Sequence, residues 1–208
     1  MEKTHINGII NIGNTCYMNS VLQLLINCTV LTKFILNTNF NNTKINCYKK
    51  FLLDYFSDNL VRPDIIKLLF PQFNNCYQHD AHEFLLNLID VLNDEIKRDF
   101  NEQKIINISV NKLIDILFDI KINSIIYCNE TSDESKSKNN EKILSLSIPK
   151  NIENINLTDC INNFQEIEFL TGESKWFNEK DNNYYDAIKK FYIKSYPKYL
   201  KHFPFFFS

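Results

Sequence analysis

Residues 8–25 read GIINIGNTCYMNSVLQLL, and the chain is best understood outward from there. The second half carries apolar side chains at Tyr17, Val21, Leu22, Leu24 and Leu25, a set that Cys28 extends. That spacing predicts a helix with a broad buried face. The first half predicts a loop running into the helix start. The chain has three glycines in 208 residues, and two of them, Gly8 and Gly13, fall in this loop. A chain so sparing of glycine is expected to use it where φ must be positive or where another group comes close. Asn14 and Thr15 are suitable helix caps. Cys16 stands where loop becomes helix. A helix start carries about half a positive charge and free N–H groups, which favour the thiolate, the nucleophilic form of cysteine. Asn11 has a side-chain amide that can donate to a developing oxyanion. The plainer reading makes Cys16 a small core hydrophobe on an amphipathic helix.

Further along, residues 29–57 read as irregular helix with a polar break at 37–46. Pro63 predicts a short helix beginning near it, and Pro71 a stop. The strongest periodicity runs from Asp80 to Arg98, with Ala81, Phe84, Leu85, Leu88, Ile89, Leu92 and Ile96 on one face. Asp80 and Glu83 have capping-box spacing. A further helix is expected at 112–117. Phe118, Ile120 and Ile122 then alternate with polar residues, predicting a strand with one wet face. Residues 129–142 (NETSDESKSKNNEK) read as an exposed mobile loop. Residues 143–148 (ILSLSI) read as a strand, Leu157 to Phe164 as a short helix capped by Thr158, and 184–200 as β. Helices precede strands, so the expected class is α+β.

Composition narrows function. A net charge of −2 gives no basic footprint for nucleic acid or an anionic membrane. No apolar run approaches the roughly 18–20 residues of a membrane span. The polar N-terminus lacks a signal-peptide core. The six cysteines are widely spaced in a chain too large to need stapling, so they are expected to be reduced thiols inside a cell. The wealth of Asn, Ile and Lys suggests an A/T-rich genome. Neither a Gly-rich phosphate loop nor paired acid/base carboxylates are present, and no cofactor is expected.

GIINIGNTCYMNSVLQ resembles the cysteine box of the ubiquitin-specific proteases, Gly-Leu-x-Asn-Leu-Gly-Asn-Thr-Cys-Tyr-Met-Asn-Ser-x-Leu-Gln, with Ile replacing Leu twice. Residues 78–85 (QHDAHEFL) resemble the family's second box, Gln-x-Asp-Ala-x-Glu-Phe-Leu. Leu170-Thr171-Gly172-Glu173 resembles its Leu-Thr-Gly turn. Asp186-Ala187 and Tyr196-Pro197-Lys198 resemble later positions at the family's spacing. The resemblance implies one papain-like domain over 1–208, with a helical thumb (about 1–117), then β fingers and an incomplete palm (about 118–208). It implies a thiol-dependent deubiquitinase acting after the C-terminal glycine of ubiquitin. Cys16 would be the nucleophile, and Asn11 the oxyanion donor. Asp80 and Glu83 would flank the channel for ubiquitin's arginine-bearing tail, a role compatible with helix capping. Ubiquitin or ubiquitinated proteins are the expected partners, in the cytoplasm or nucleus, of a host cell if the gene is viral.

Two departures from the family stand out. Its fingers often hold zinc in two Cys-x-x-Cys pairs. Here those positions are Cys128 and Thr131, then Asn178 and Asp181, and one thiolate of four does not make a closed tetrahedral site. No metal is therefore expected. The family's catalytic histidine follows the Leu-Pro-Lys region, and the chain is expected to stop before that His box. His5 is expected to be solvated, His79 and His82 to face solvent or a partner, and His202 matches a strand. The closing aromatic run Phe205–Phe207 is expected to be buried or sticky. Trp176 is expected to pack in the fingers. The alternative function is a catalytically inactive ubiquitin-binding protein or gene remnant.

Overall fold

Helix α1 (Cys16–Ile26) buries Tyr17, Met18, Val21, Leu22, Leu25 and Ile26, the wide stripe its periodicity calls for. It packs on α2 (Thr29–Asn37) and on the long α5 (Ala81–Glu102). Helix α3 (Thr43–Phe56) packs on α2, on α5 and on the short α4 (Asp64–Lys67). These elements come from a computed structural model, which describes residues 7–57, 60–104, 112–150, 154–197 and 199. The chain divides into two compact units, Met1–Ile114 and Asp115–Ser208. Among the described residues no single helix is long and apolar enough to cross a membrane, and α1 and α2 are bent by 83° from each other.

Within the first unit α5 follows its sequence pattern closely. Phe84, Leu85, Leu88, Ile89, Leu92 and Ile96 are all buried. Asp80 is its N-cap, with Oδ1 accepting from His82 N at 2.7 Å, so the cap rests on the second helical amide in place of a reciprocal box with Glu83. The helix continues past Arg98 because Asp99 and Phe100 turn inward. Asp99 is fully buried. Its Oδ1 accepts from Asn41 N at 2.7 Å and Asn42 N at 3.0 Å, and its Oδ2 accepts from Gln103. Asn42 in turn caps α3, accepting from Lys44 N at 2.9 Å. The polar break between α2 and α3 is thus a turn held by a carboxylate 57 residues away.

The second unit begins in α6 (Leu113–Phe118), which includes Phe118, so the strand read from Phe118 onward starts at Ile120 instead. Its sheet is antiparallel with order β2-β1-β6-β3, formed by β1 (Ile120–Tyr127), β2 (Glu134–Glu141), β3 (Glu168–Leu170) and β6 (Ala187–Ser195). A hairpin of β4 (Trp176–Asn178) and β5 (Asn183–Tyr185) stands apart from it. β2 corrects the expectation of a loop at 129–142. Its eight residues pair in register with all of β1, from Ile120↔Glu141 to Tyr127↔Glu134. Every β2 residue is exposed, so backbone pairing forms the strand and no burial pattern announces it. Lys and Glu on such an edge discourage further pairing. Residues 143–148 are the converse. Leu144 and Leu146 are buried with Ile120, Ile122 and Cys160, yet only Leu146 is bridged as β. Helix α7 (Leu157–Phe164) is capped by Asn156 and Asp159 in a reciprocal box, not by Thr158.

The Asp99 clamp has a measurable consequence. Asp99→Ala removes a charged acceptor and strands two amides, and it is expected to cost about 2–4 kcal/mol. Urea unfolding of the full chain measures it, and a loss below about 0.5 kcal/mol, the range of ordinary surface changes, contradicts the clamp.

Candidate active site

The loop before α1 is folded back onto its own helix. Asn19 Nδ2 donates to Ile9 O and Ile10 O, both at 3.1 Å, and Gln23 Nε2 donates to Asn7 O at 2.7 Å. Tyr55 OH holds Gln23 Oε1 at 2.9 Å. Asn19 and Gln23 are four apart on one helix face, which explains why these two polar residues belong in an otherwise apolar stretch. Sequence reasoning matched them to a motif and missed this task. Ile9 also bridges Val61, with Ile10 N donating to Val61 O at 2.8 Å.

The turn into the helix needs two left-handed residues in succession, Gly13 at φ 100° and Asn14 at φ 50°. Gly13 therefore answers the glycine expectation. Gly8 does not, because a Cβ there meets open space and its φ is not positive. The turn lets Asn11 Oδ1 accept three hydrogen bonds, from Gly13 N at 3.2 Å, Thr15 N at 3.1 Å and Thr15 Oγ1 at 3.0 Å. Thr15 Oγ1 also accepts from Ile12 N at 3.1 Å. Thr15 occupies the N-cap position but makes no side-chain cap bond, since its hydroxyl is turned back into the loop. The cap expected of Asn14 fails as well, because its Nδ2 donates to Cys76 O at 2.7 Å.

Cys16 is the first residue of α1 and is exposed, while its neighbours Thr15 and Tyr17 are buried. The reading of Cys16 as a core hydrophobe is thereby excluded. With three donors on its oxygen, the Asn11 amide has a determined orientation. Its Nδ2 has no partner among the described residues, and the residue is exposed. Burial raises the Tyr17 phenol above its ordinary range, and the adjacent Cys16 charge adds to that.

The second box is carried to the same place. Tyr17 packs against Phe84 of α5, with centroids 5.7 Å apart, and against Phe73 at 6.0 Å. His79 lies edge-on to Tyr17 at 5.4 Å and to Phe73 at 5.1 Å, and its Nε2 pairs with Asn75 Oδ1 at 2.8 Å. His79 is half-buried, with its ring turned partly into this cluster. Asp80 and Glu83 are exposed at the start of α5, and His82 is half-buried beside them. His5, His202 and Phe205–Phe207 lie outside the described residues.

The profile of the family described as ubiquitin carboxyl-terminal hydrolase matches residues 7–202. The chain belongs to that family. It is 28% identical over 224 residues to ubiquitin carboxyl-terminal hydrolase 12 of Salmo salar, an alignment covering 94% of this chain and 59% of that protein. The chain thus spans about 59% of the length of the curated relative it matches.

The family often holds zinc at the positions that are here Cys128, Thr131, Asn178 and Asp181, and these residues do not fit that ion. Cys128 is buried with Leu170 and Ala187, against which Trp176 packs as expected. Its backbone N donates to Asp133 O at 3.0 Å. Thr131 Oγ1 accepts from Asp133 N at 3.3 Å. Asn178, almost fully buried, donates from Nδ2 to Asp133 Oδ2 at 2.8 Å, and Lys180 Nζ pairs with Asp133 Oδ1. Asp181 accepts from Tyr185 OH at 2.6 Å. The side chains of Thr131, Asn178 and Asp181 are engaged by other hydrogen bonds, and that of Cys128 is packed among apolar groups. Among the described residues no three His, Cys, Asp or Glu converge on a metal-sized site.

Lys180, then Asn178 and Thr131, hold the Asp133 carboxyl below the usual carboxylate range. A lowered carboxyl stabilises the folded state above its unfolded value of about 3.9 and loses that contribution as pH falls through the folded value. Thermal melts are expected to fall toward acid pH in the wild-type chain. In Asp133→Ala the melt is lower at neutral pH and its acid limb is flatter. A strong zinc chelator is expected to leave the wild-type Tm unchanged, and a chelator-induced drop contradicts the reading that these four positions do not hold zinc.

Proposed function

We propose that this chain is a thiol-dependent deubiquitinase that opens the bond after the C-terminal glycine of ubiquitin, with Cys16 as nucleophile. The observation that carries the reading is an exposed thiol at an uncapped helix start, beside a locked asparagine with a spare N–H pair. In this reading the Cys16 thiolate attacks the glycine carbonyl, and Asn11 Nδ2 donates to the oxyanion that develops. The amine takes up a proton from solvent as it leaves, a thioester remains on Cys16, and water then hydrolyses it to the ubiquitin carboxyl group and the Cys16 thiol. Asp80 and Glu83 pair with the basic tail of ubiquitin at the mouth of the site. The domain is papain-like, with thumb, fingers and palm, and works inside a cell, where thiols stay reduced. All six cysteines are free.

A second reading is ubiquitin binding without turnover. It is favoured by His79, whose Nε2 is already engaged by Asn75 while its ring packs in the aromatic cluster.

A ubiquitin-based suicide probe is expected to label the chain, and Cys16→Ala to abolish labelling. Asn11→Ala is expected to slow labelling about 100- to 1,000-fold, the usual loss for one oxyanion donor. Absence of labelling at saturating probe, together with micromolar ubiquitin binding by calorimetry, replaces the first reading with the second.

A further inference from the structure

Two of the six cysteines are exposed, Cys16 and Cys76. Cys47 is half-buried on α3, and Cys28, Cys128 and Cys160 are buried. Burial pushes the Cys28 thiol up to about 12, which keeps it protonated and inert. The two exposed thiols are 60 positions apart in sequence, yet the fold ties their flanks together at three points. Asn14 Nδ2 donates to the carbonyl of Cys76 itself at 2.7 Å. Phe73, three residues before Cys76, packs on Tyr17 with centroids 6.0 Å apart. His79, three residues after it, packs on the same ring at 5.4 Å. Residues 14 and 17 flank Cys16, so the Cys76 turn is bracketed against the start of α1 from both ends and at its middle.

The Cys76 side chain is itself untied within that turn. Residues 74–80 belong to neither helix nor strand. Its internal bonds, Tyr77 N to Asn75 Oδ1 at 2.9 Å and Asn75 Nδ2 to Gln72 O at 3.0 Å, do not involve the Cys76 side chain. A disulfide needs Cα atoms about 4.4–6.8 Å apart, and contacts at Cys76 itself and three residues to either side hold the turn against the residues that flank Cys16.

The geometry points to Cys76 as a resolving thiol for Cys16, forming a reversible disulfide that switches the nucleophile off under peroxide. The inference rests on the reading of Cys16 as a reactive thiolate. The Cys16 thiolate attacks one peroxide oxygen, the O–O bond breaks, and hydroxide leaves. The sulfur is oxidised by two electrons to the sulfenic acid, and the peroxide is reduced. The Cys76 thiolate then attacks Cys16 Sγ, the S–S bond forms, the S–O bond breaks, and the departing hydroxide is protonated to water. Two thiols and one hydrogen peroxide give one disulfide and two waters. Without Cys76 the sulfenic acid is exposed to a second peroxide and to irreversible sulfinic acid.

The full chain is treated with hydrogen peroxide, quenched by alkylation and digested without reduction. A linked pair of peptides holding Cys16 and Cys76 is expected, about 2 Da lighter than the two thiol peptides, and dithiothreitol reverses it. In Cys76→Ser the linked pair is lost, and the Cys16 sulfenic acid, trapped by dimedone, takes its place. Accumulation of Cys16 sulfinic acid in the wild type at the rate seen in Cys76→Ser overturns the proposal, as does a disulfide between any other pair. The ubiquitin suicide probe separates this from the catalytic reading. Labelling without the linked pair removes the switch and leaves the nucleophile standing. The linked pair without labelling upholds the thiol pair and removes the deubiquitinase reading.

Discussion

Three donors converge on a single oxygen, Asn11 Oδ1, and the arrangement of the site follows from that convergence. An amide oxygen that accepts from Gly13 N, Thr15 N and Thr15 Oγ1 requires the chain between 11 and 15 to curl tightly, and two left-handed residues supply the curl. The Thr15 hydroxyl is drawn into the same knot and so is withdrawn from the helix end. The N–H groups of the first turn of α1 are thereby left without a side-chain cap, which an isolated helix avoids because a missing cap costs about 1 kcal/mol. A helix start left open beside an exposed sulfur is an anion-binding arrangement. The instability introduced at Thr15 is offset by Asn19 and Gln23, which bind the loop back to the helix one and two turns further on.

The parts of the fold legible in sequence are those whose burial is periodic. Helix α5 declared itself because its apolar residues recur at helical spacing, and α1 did likewise. Residues that fold through hydrogen bonds left no such trace. Asp99 sits in a run of charged residues and reads as solvated, yet it is the fully buried acceptor that shapes the turn between α2 and α3. β2 is a strand with no buried side chain at all, held by its pairing to β1. In the candidate site, the helix start and the motif together single out Cys16 and Asn11. The motif did not reveal that Asn14 reaches a carbonyl 62 residues away or that Thr15 abandons its cap. Those facts depend on partners distant in sequence, where pattern reading has no purchase.

The cluster around Asp133 illustrates how the tying role of a metal can be taken by ordinary bonds. A tetrahedral zinc fixes four side chains through one centre. Here Asp133 takes the central place: it joins Asn178 and Lys180 through its carboxylate, and Thr131 and Cys128 through its backbone. Asp181 is held separately by Tyr185. The substitution changes the kind of sensitivity as much as the strength. A zinc cluster responds to chelators and thiol oxidation, whereas a carboxylate clasp responds to acid and, where exposed, to salt. The single cysteine left at the site, Cys128, is buried among apolar groups and packs as a small hydrophobe.

A reactive side chain must be reachable and yet held still, requirements that oppose each other on a surface. The chain reconciles them by burying the neighbours of Cys16 and leaving Cys16 out. Thr15 is locked into the loop, and Tyr17 is clamped by Phe73, His79 and Phe84. The backbone at Cys16 is therefore pinned on both sides, by its own loop at Thr15 and by rings from two distant segments at Tyr17, while Cys16 itself is exposed. Phe73 and His79, two of the three rings that clamp Tyr17, flank Cys76 in sequence, so the hold on Tyr17 also anchors the turn that carries the other exposed thiol. Rigidity beside Cys16 and the anchoring of the Cys76 turn then share one physical cause, and loosening Tyr17 weakens both together.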